Sequence, residues 1–348
     1  MVLLKAVADG HEVLPGNPMT PKSLHQTFFI LPGLVLLFCL AAATATAACP
    51  NEIKPSGAAP LQMLVLGDSI MWGQGLREEE KFSSRVKCWL EEKTNREVKV
   101  HVEAHSGAVI SAAPATPPKF ATSYGEVNLG TPSINEQLDH AIQFYKQDQS
   151  SPALILMNGC INDVGVKNLL AASTPLEDLR AQVRKSCGQG MNSLLQRVRK
   201  SFSQSYVLVT GYYPIVSPQS ANNAFLRLLV KKLNNQRPEA RQMTDQEMRT
   251  RLIAISDEWY KSSTANLVEA IAKINADDAP QSAKVSFVEI QFGPEHVFAA
   301  PDSLLWNFMF ASTNLTGFAK VIVWLSFGTA AYKTNDHVRQ SRIRICEE

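Results

Sequence analysis

At 348 residues the chain has room for one large domain or two small ones, and with 45% hydrophobic and 19% charged residues it can bury a sizeable core. A formal net charge of +2 argues against binding to nucleic acid or to an anionic membrane surface through a basic face. The sequence carries no zinc-ligand spacing, no glycine-rich phosphate loop and no internal repeat.

Residues 1–47 read as an address, with 1–18, ahead of Met19, as an upstream extension or a mis-called start. Phe28 to Ala43 is an almost unbroken apolar run preceded by Lys22 and His25. It ends in Ala45-Thr46-Ala47, a small-x-small cleavage pattern that would start the mature chain at Ala48. Pro32 and Gly33 interrupt the run and count against a permanent span; the alternative is a membrane anchor through 28–43. Export implies an oxidising compartment. Cys39 would leave with the leader, and Cys49, Cys88, Cys160, Cys187 and Cys346 remain, an odd number whose pairing is not readable. Asn314-Leu315-Thr316 is a glycosylation sequon in a eukaryotic secretory pathway.

Residues 48–348 read as a single domain. The apolar run 61–66 predicts a first strand, broken at Gly67-Asp68-Ser69. Residues 78–95 carry Phe82, Val86, Trp89 and Leu90 at helical spacing. Val98, Val100 and Val102 alternate with polar residues, predicting a second strand over 98–104 that exits at His105-Ser106-Gly107. A Pro/Ala/Ser/Thr-rich stretch, 111–131, reads as a long loop, a helix covers 134–147, and 153–157 is a third strand ending at Asn158-Gly159-Cys160-Ile161-Asn162-Asp163. A helical region over 176–202 is expected to break near Gly188-Gln189-Gly190. Strands at 206–210 and 285–290 flank helices at 222–235 and 244–275. Beyond 291 the pattern weakens, and apolar 315–331 is too short and interrupted for a membrane span. Strands separated by helices of this size call for parallel pairing and right-handed crossovers, an α/β sandwich.

Three predicted strand ends carry a chemically useful residue each: Ser69, Gly107 and Asn162. A hydroxyl, a backbone N–H and a side-chain amide along one carboxyl edge are what acyl transfer needs, an attacker and donors for the tetrahedral oxyanion. Each also has a plain structural explanation. Asp68 or Ser69 fits a helix cap, Gly107 a turn, and Asn162-Asp163 a turn or cap.

In order, these blocks resemble those of the SGNH or GDSL hydrolases. Gly67-Asp68-Ser69-Ile70 is similar to the first block, with Ile where Leu is commoner; Ser106-Gly107 fits the second, and Gly159-Cys160-Ile161-Asn162-Asp163 the third. The resemblance covers about residues 60–300. It implies a three-layer α/β/α sandwich with a flavodoxin-like, parallel five-stranded sheet. It also implies Ser69 as nucleophile and an oxyanion hole from the Ser69 and Gly107 amides and the Asn162 side chain. Hydrolysis would be free of metal and cofactor, with Asp68 as a structural hydrogen-bonding residue. The partner is a small ester or lipid substrate.

The family's fourth block, Asp-x-x-His, has no match, since no histidine has Asp three residues before it. Three readings stand. His337, next to Asp336, is the base; or His296, next to Glu295, is; or the catalytic histidine is missing, because the segment from His296 to Trp306 resembles a secreted branch whose Gly-His-Pro block lies later still. Asp302 and Asp336 are the candidate orienting carboxylates. The expected activity is a secreted serine esterase or lipase. The alternatives are a catalytically impaired, ligand-binding relative and a carbohydrate acetyl esterase.

Overall fold

Five parallel strands form one sheet in the order β2-β1-β3-β4-β5: β1 is Leu61–Leu66, β2 Val98–Val102, β3 Leu154–Met157, β4 Tyr206–Thr210 and β5 Val285–Val288. The computed structural model describes residues 57–74, 76, 78–111, 132–221, 243–277 and 284–303, all within the unit Ala47–Glu348. The predicted leader 1–47, the loop over 112–131, the helix at 222–235, the 315–331 segment, Asp336 and His337 lie outside the described residues.

The apolar runs become central strands because each buries both faces. Along β1, Leu64 and Leu66 join one hydrophobic cluster while Met63 and Val65 join the other. In β3, Ile155 and Met157 go to the first cluster, and Leu156 to the second. The second cluster is covered by α1 (Ser69–Trp72) through Met71 and by α2 (Phe82–Thr94) through Val86. The first is covered by α3 (Ile134–Gln147) and by helices that follow β3 and β4. Layers on both faces follow from the strand order. Right-handed crossovers that run to opposite sides of β1 must put their helices on opposite faces. The direction of winding therefore switches between β1 and β3, the place where such sheets leave a crevice at the carboxyl ends of the strands.

After β3 come two single-turn helices, α4 (Ile161–Val164) and α5 (Val166–Leu169), then α6 (Leu176–Val183) and α7 (Met191–Ser201). The expected break at 188–190 is not there. Arg184–Gly190 continues the helix as a π-helical segment. Its glycines serve close packing rather than termination: a Cβ on Gly188 would lie 2.9 Å from Asn266 Oδ1, and one on Gly190 3.0 Å from Ile110 Cδ1. Asn266 belongs to α8 (Asp245–Asp277), the 33-residue helix that crosses from β4 to β5. Three strands are shorter than predicted, β3 by the single residue Ala153. β2 stops at Val102, because both Glu103 N–H and Ala104 N–H turn onto the single Val65 carbonyl, and β5 stops at Val288.

Candidate active site

Gly67, directly after β1, is held at φ 140°, and a Cβ there would sit 2.1 Å from Asn158 Oδ1. Only glycine fits. Gln137, from the first turn of α3, grips this residue at both ends: Gly67 N–H donates to Gln137 Oε1 at 2.8 Å, and Gln137 Nε2 donates to the Gly67 carbonyl at 3.0 Å. Asp68 is fully buried and caps α1, accepting from Ile70 N–H at 2.8 Å. Asn158, the first residue after β3, donates to Asp68 Oδ1 at 2.9 Å and accepts from Asp68 N–H at 2.9 Å. Tyr212, two residues after β4, donates to Asp68 Oδ2 at 2.8 Å. Burial pushes the Asp68 carboxyl pKa up, while these donors pull it back toward the charged form. Burial and the Asp68 charge push the Tyr212 hydroxyl upward as well, so it stays a donor. The cap reading of Asp68 thus holds, and the cap is one of several bonds that fix the turn presenting Ser69.

The helix beyond is shorter than a helix-dipole argument needs. α1 is a single turn that ends at Gly73, so only local N–H groups can serve an anion at Ser69.

The loop after β2 is tied to the same turn. His105 N–H donates to the Gly67 carbonyl at 3.0 Å, and Ser106 Oγ donates to Gln74 Oε1 at 2.8 Å. Gly107 follows, at φ 81°. α4 clasps this loop from the other side. Asn162 Nδ2 donates to the Ala108 carbonyl at 2.9 Å, and Ile110 N–H donates to both Asp163 carboxylate oxygens at 3.1 Å. Asp163 is exposed as a residue, yet its carboxylate is folded back onto that N–H. Desolvation pushes its pKa up to about 6, with the Asp68 charge adding to it and the Ile110 N–H opposing. Ile161 N–H reaches the Tyr212 hydroxyl at 3.4 Å, closing a chain from α4 through Tyr212 to Asp68.

Ser69, Gly107 and Asn162 are therefore carried by three mutually hydrogen-bonded segments at the carboxyl ends of β1, β2 and β3. All three keep partial solvent access, whereas Asp68, Gln137, Asn158 and Tyr212 behind them are sealed. The sequence reading missed Gln137, Asn158 and Tyr212. Asn158 alone had a usable signal: it follows Met157, which pairs in register with Leu66, so it must face the Gly67-Asp68 turn once β1 and β3 are neighbours. It also left the cysteine pairing open. Cys160 and Cys187 form a disulfide, and Cys88 is disulfide-bonded too.

The candidate bases divide. His337 and Asp336 lie outside the described residues. His296 sits in the turn after β5, where its Nδ1 accepts from Gly293 N–H at 3.2 Å and its ring meets Phe292 edge-on. A neutral ring whose Nδ1 accepts carries its proton on Nε2, the wrong tautomer for taking one from a serine. Glu295 Oε1 lies 3.6 Å from that Nδ1 and would receive its proton only if the Gly293 bond were given up. Asp302 is exposed in the turn that follows. His101 stacks on Phe144 and meets Glu103 at 2.8 Å, and His140 lies 3.5 Å from the same carboxylate, so these two belong to the β2–α3 surface. A polar groove of about 530 Å³ between the π segment and α8, lined by Arg184, Asn192, Asn266, Glu269 and Lys273, contains none of the candidate residues. Among the described residues no group of three or more His, Cys, Asp or Glu side chains is arranged to hold a metal ion. Nor is any helix among them long and apolar enough to cross a membrane.

No protein-family model matches the chain. No curated protein matches it either. Among solved structures it is similar to the lipase Lip_vut3 from a goat rumen metagenome, at 18% identity and a TM-score of 0.42, over 68% of this chain and 87% of that one. It is similar to an extracellular lipase from Streptomyces rimosus, at 12% identity and 0.47, over 82% and 98%. A family two carbohydrate esterase from Clostridium thermocellum matches at 12% identity and 0.34, over 68% of this chain and 57% of that one. TM-scores under 0.5 fix neither substrate nor residue roles, which rest on this chain's own geometry.

Proposed function

We propose that the chain is a secreted ester hydrolase of the SGNH type that works through an acyl-enzyme on Ser69. The observation that carries this reading is the braced arrangement of Ser69, Gly107 and Asn162 on hydrogen-bonded segments beside the β1–β3 switch point. Ser69 Oγ attacks the ester carbonyl carbon while a histidine takes its proton. The carbonyl oxygen, now an anion, is met by the Ser69 and Gly107 amides and the free N–H of the Asn162 amide. Collapse of the tetrahedral species expels the alcohol, which takes the proton from the histidine. Water then repeats the sequence and releases the acid. His337 is the base in this reading, oriented by Asp336 or Asp302. The disulfides, together with the apolar run and cleavage pattern at 28–47, support export.

One observation favours the alternative, a binding relative with impaired turnover. The candidate base among the described residues, His296, has its Nδ1 taken up by Gly293 N–H, so no carboxylate orients the ring through that nitrogen. The test is hydrolysis of nitrophenyl acetate, butyrate and octanoate by the chain from Ala48, beside Ser69→Ala, His337→Ala and His296→Ala. The expected result is activity lost to background in Ser69→Ala and reduced about 10²–10⁴-fold in His337→Ala, the usual contribution of a general base. His296→Ala should stay near wild type. Wild-type turnover no better than that of Ser69→Ala, in folded protein, would replace the hydrolase with the binding relative. The acyl-length profile separates a lipase from an acetyl esterase acting on carbohydrate.

A further inference from the structure

The disulfide joins two backbone irregularities. Cys160 lies three residues beyond β3, at φ 100° and ψ −21°, in a region that side-chain-bearing residues rarely adopt. Such conformations persist where surrounding structure holds them, and they gather at working sites. Cys160 is the N-cap of α4 but makes no side-chain cap hydrogen bond, so the usual lock on the first turn of a helix is absent. In its place is the bond to Cys187, in the middle of the π segment, with the two Cα atoms 5.1 Å apart and both residues fully buried. π segments insert an extra residue into a helical turn and recur at functional sites. α4 has only four residues, and every one of its links to the neighbouring loops depends on how its first turn is set. Ile161 N–H faces Tyr212, the Asn162 amide meets the Ala108 carbonyl, and Asp163 holds Ile110 N–H.

We infer that the Cys160–Cys187 disulfide is a positioning element for the Asn162 amide, holding Cys160 in its left-handed conformation and thereby setting the start of α4. The inference deepens the hydrolase reading and rests on it for its kinetic consequence. Its structural content, the setting of the 160–164 turn, is separable.

The test compares the wild type with Cys160→Ala/Cys187→Ala, Cys160→Gly/Cys187→Ala and Cys187→Ala, following kcat and KM on nitrophenyl butyrate. Amide hydrogen exchange is followed over 158–164, and circular dichroism checks folding. Alanine at 160 resists φ 100° and glycine does not. The alanine double variant should lose kcat by about 100-fold, the scale of removing one oxyanion donor, with KM little changed. The glycine double variant should recover at least tenfold of that loss. Exchange over 158–164 should quicken in the alanine variant and return toward wild type with glycine. Equal losses in both double variants, or wild-type kcat and exchange in the alanine variant, would overturn the inference and leave the bond a plain stabiliser. Should the alanine double variant fail to fold, Cys187→Ala decides: wild-type exchange over 158–164 in that protein refutes it, and quickened exchange supports it. A wild type that fails to hydrolyse the ester sinks the hydrolase reading alone, because the exchange pattern still tests the turn.

Discussion

Behind Ser69 the protein has assembled a sealed set of polar groups. Asp68, Gln137, Asn158 and Tyr212 are buried and come from four different segments; Asn158 and Tyr212 bond Asp68, and Gln137 bonds the Gly67 backbone at both ends. Around His296 the ring bonds to a backbone three residues away and leans on Phe292, while its turn is tied to the loop after β4: Ser217 Oγ donates to the Pro294 carbonyl at 2.6 Å and Phe298 N–H to the Ile215 carbonyl at 3.0 Å. The first turn is held by buried side chains from several segments, the second through backbone carbonyls bonded to the loop after β4. Preorganised donors aimed at developing charge are a large part of enzymatic rate enhancement, and they must be held without reorganising during the reaction.

That contrast can be broken at several places. The largest effect is expected from Gly67→Ala. Its Cβ would fall 2.1 Å from Asn158 Oδ1 on a φ of 140°, so the turn must be rebuilt, with destabilisation of about 4 kcal/mol or more by urea unfolding. A wild-type midpoint for that variant would mean the turn is not constrained as described. Tyr212→Phe comes next. It removes a donor to a buried carboxylate and leaves Ile161 N–H without its acceptor, which should cost about 1.5–3 kcal/mol in the same measurement. A loss below about 0.5 kcal/mol, the scale of an ordinary surface change, would show that Asp68 does not depend on it.

The smallest effect concerns Asp163 and sharpens the comparison through pH. Its folded pKa, about 6, lies above the unfolded value near 3.9, so the folded state binds this proton more tightly. The stability it contributes is present in full below the unfolded pKa and is lost as pH rises through about 6. Asp163→Asn keeps an acceptor for Ile110 N–H and cannot titrate. The stability of wild type relative to this variant should therefore decline from about pH 4 to pH 7. A flat difference would show that the carboxyl does not titrate there.

The strands were legible because an apolar run buried on both faces is a local signal. Leu61–Leu66 and Tyr206–Thr210 have the predicted limits, and α3 begins and ends where its amphipathic period does. Ser69, Gly107 and Asn162 could be placed at strand ends for the same reason, since motif and strand are contiguous. The residues that hold them could not. Gln137, Asn158 and Tyr212 meet the Gly67-Asp68 turn across 70, 90 and 144 residues, and no spacing in the sequence encodes those meetings before the strand order is known. The 188–190 prediction failed for a related reason. Glycine breaks helices through its own backbone freedom, but here its missing side chain admits Asn266 and Ile110 from distant segments.

The distance from Asp68 to Tyr212 also sets an order of events in time. Ribosomes add about 5–20 residues per second, so the Gly67-Asp68-Ser69 turn leaves the ribosome roughly 7–30 s before the tyrosine 144 residues later that completes it. Through that interval the Asp68 carboxylate lacks one of the donors that make its burial tolerable, and it remains in water. The segment made first among the candidate groups is thus among the last to reach its working form. Any chain interrupted before β4 would carry Ser69 on an unfinished turn.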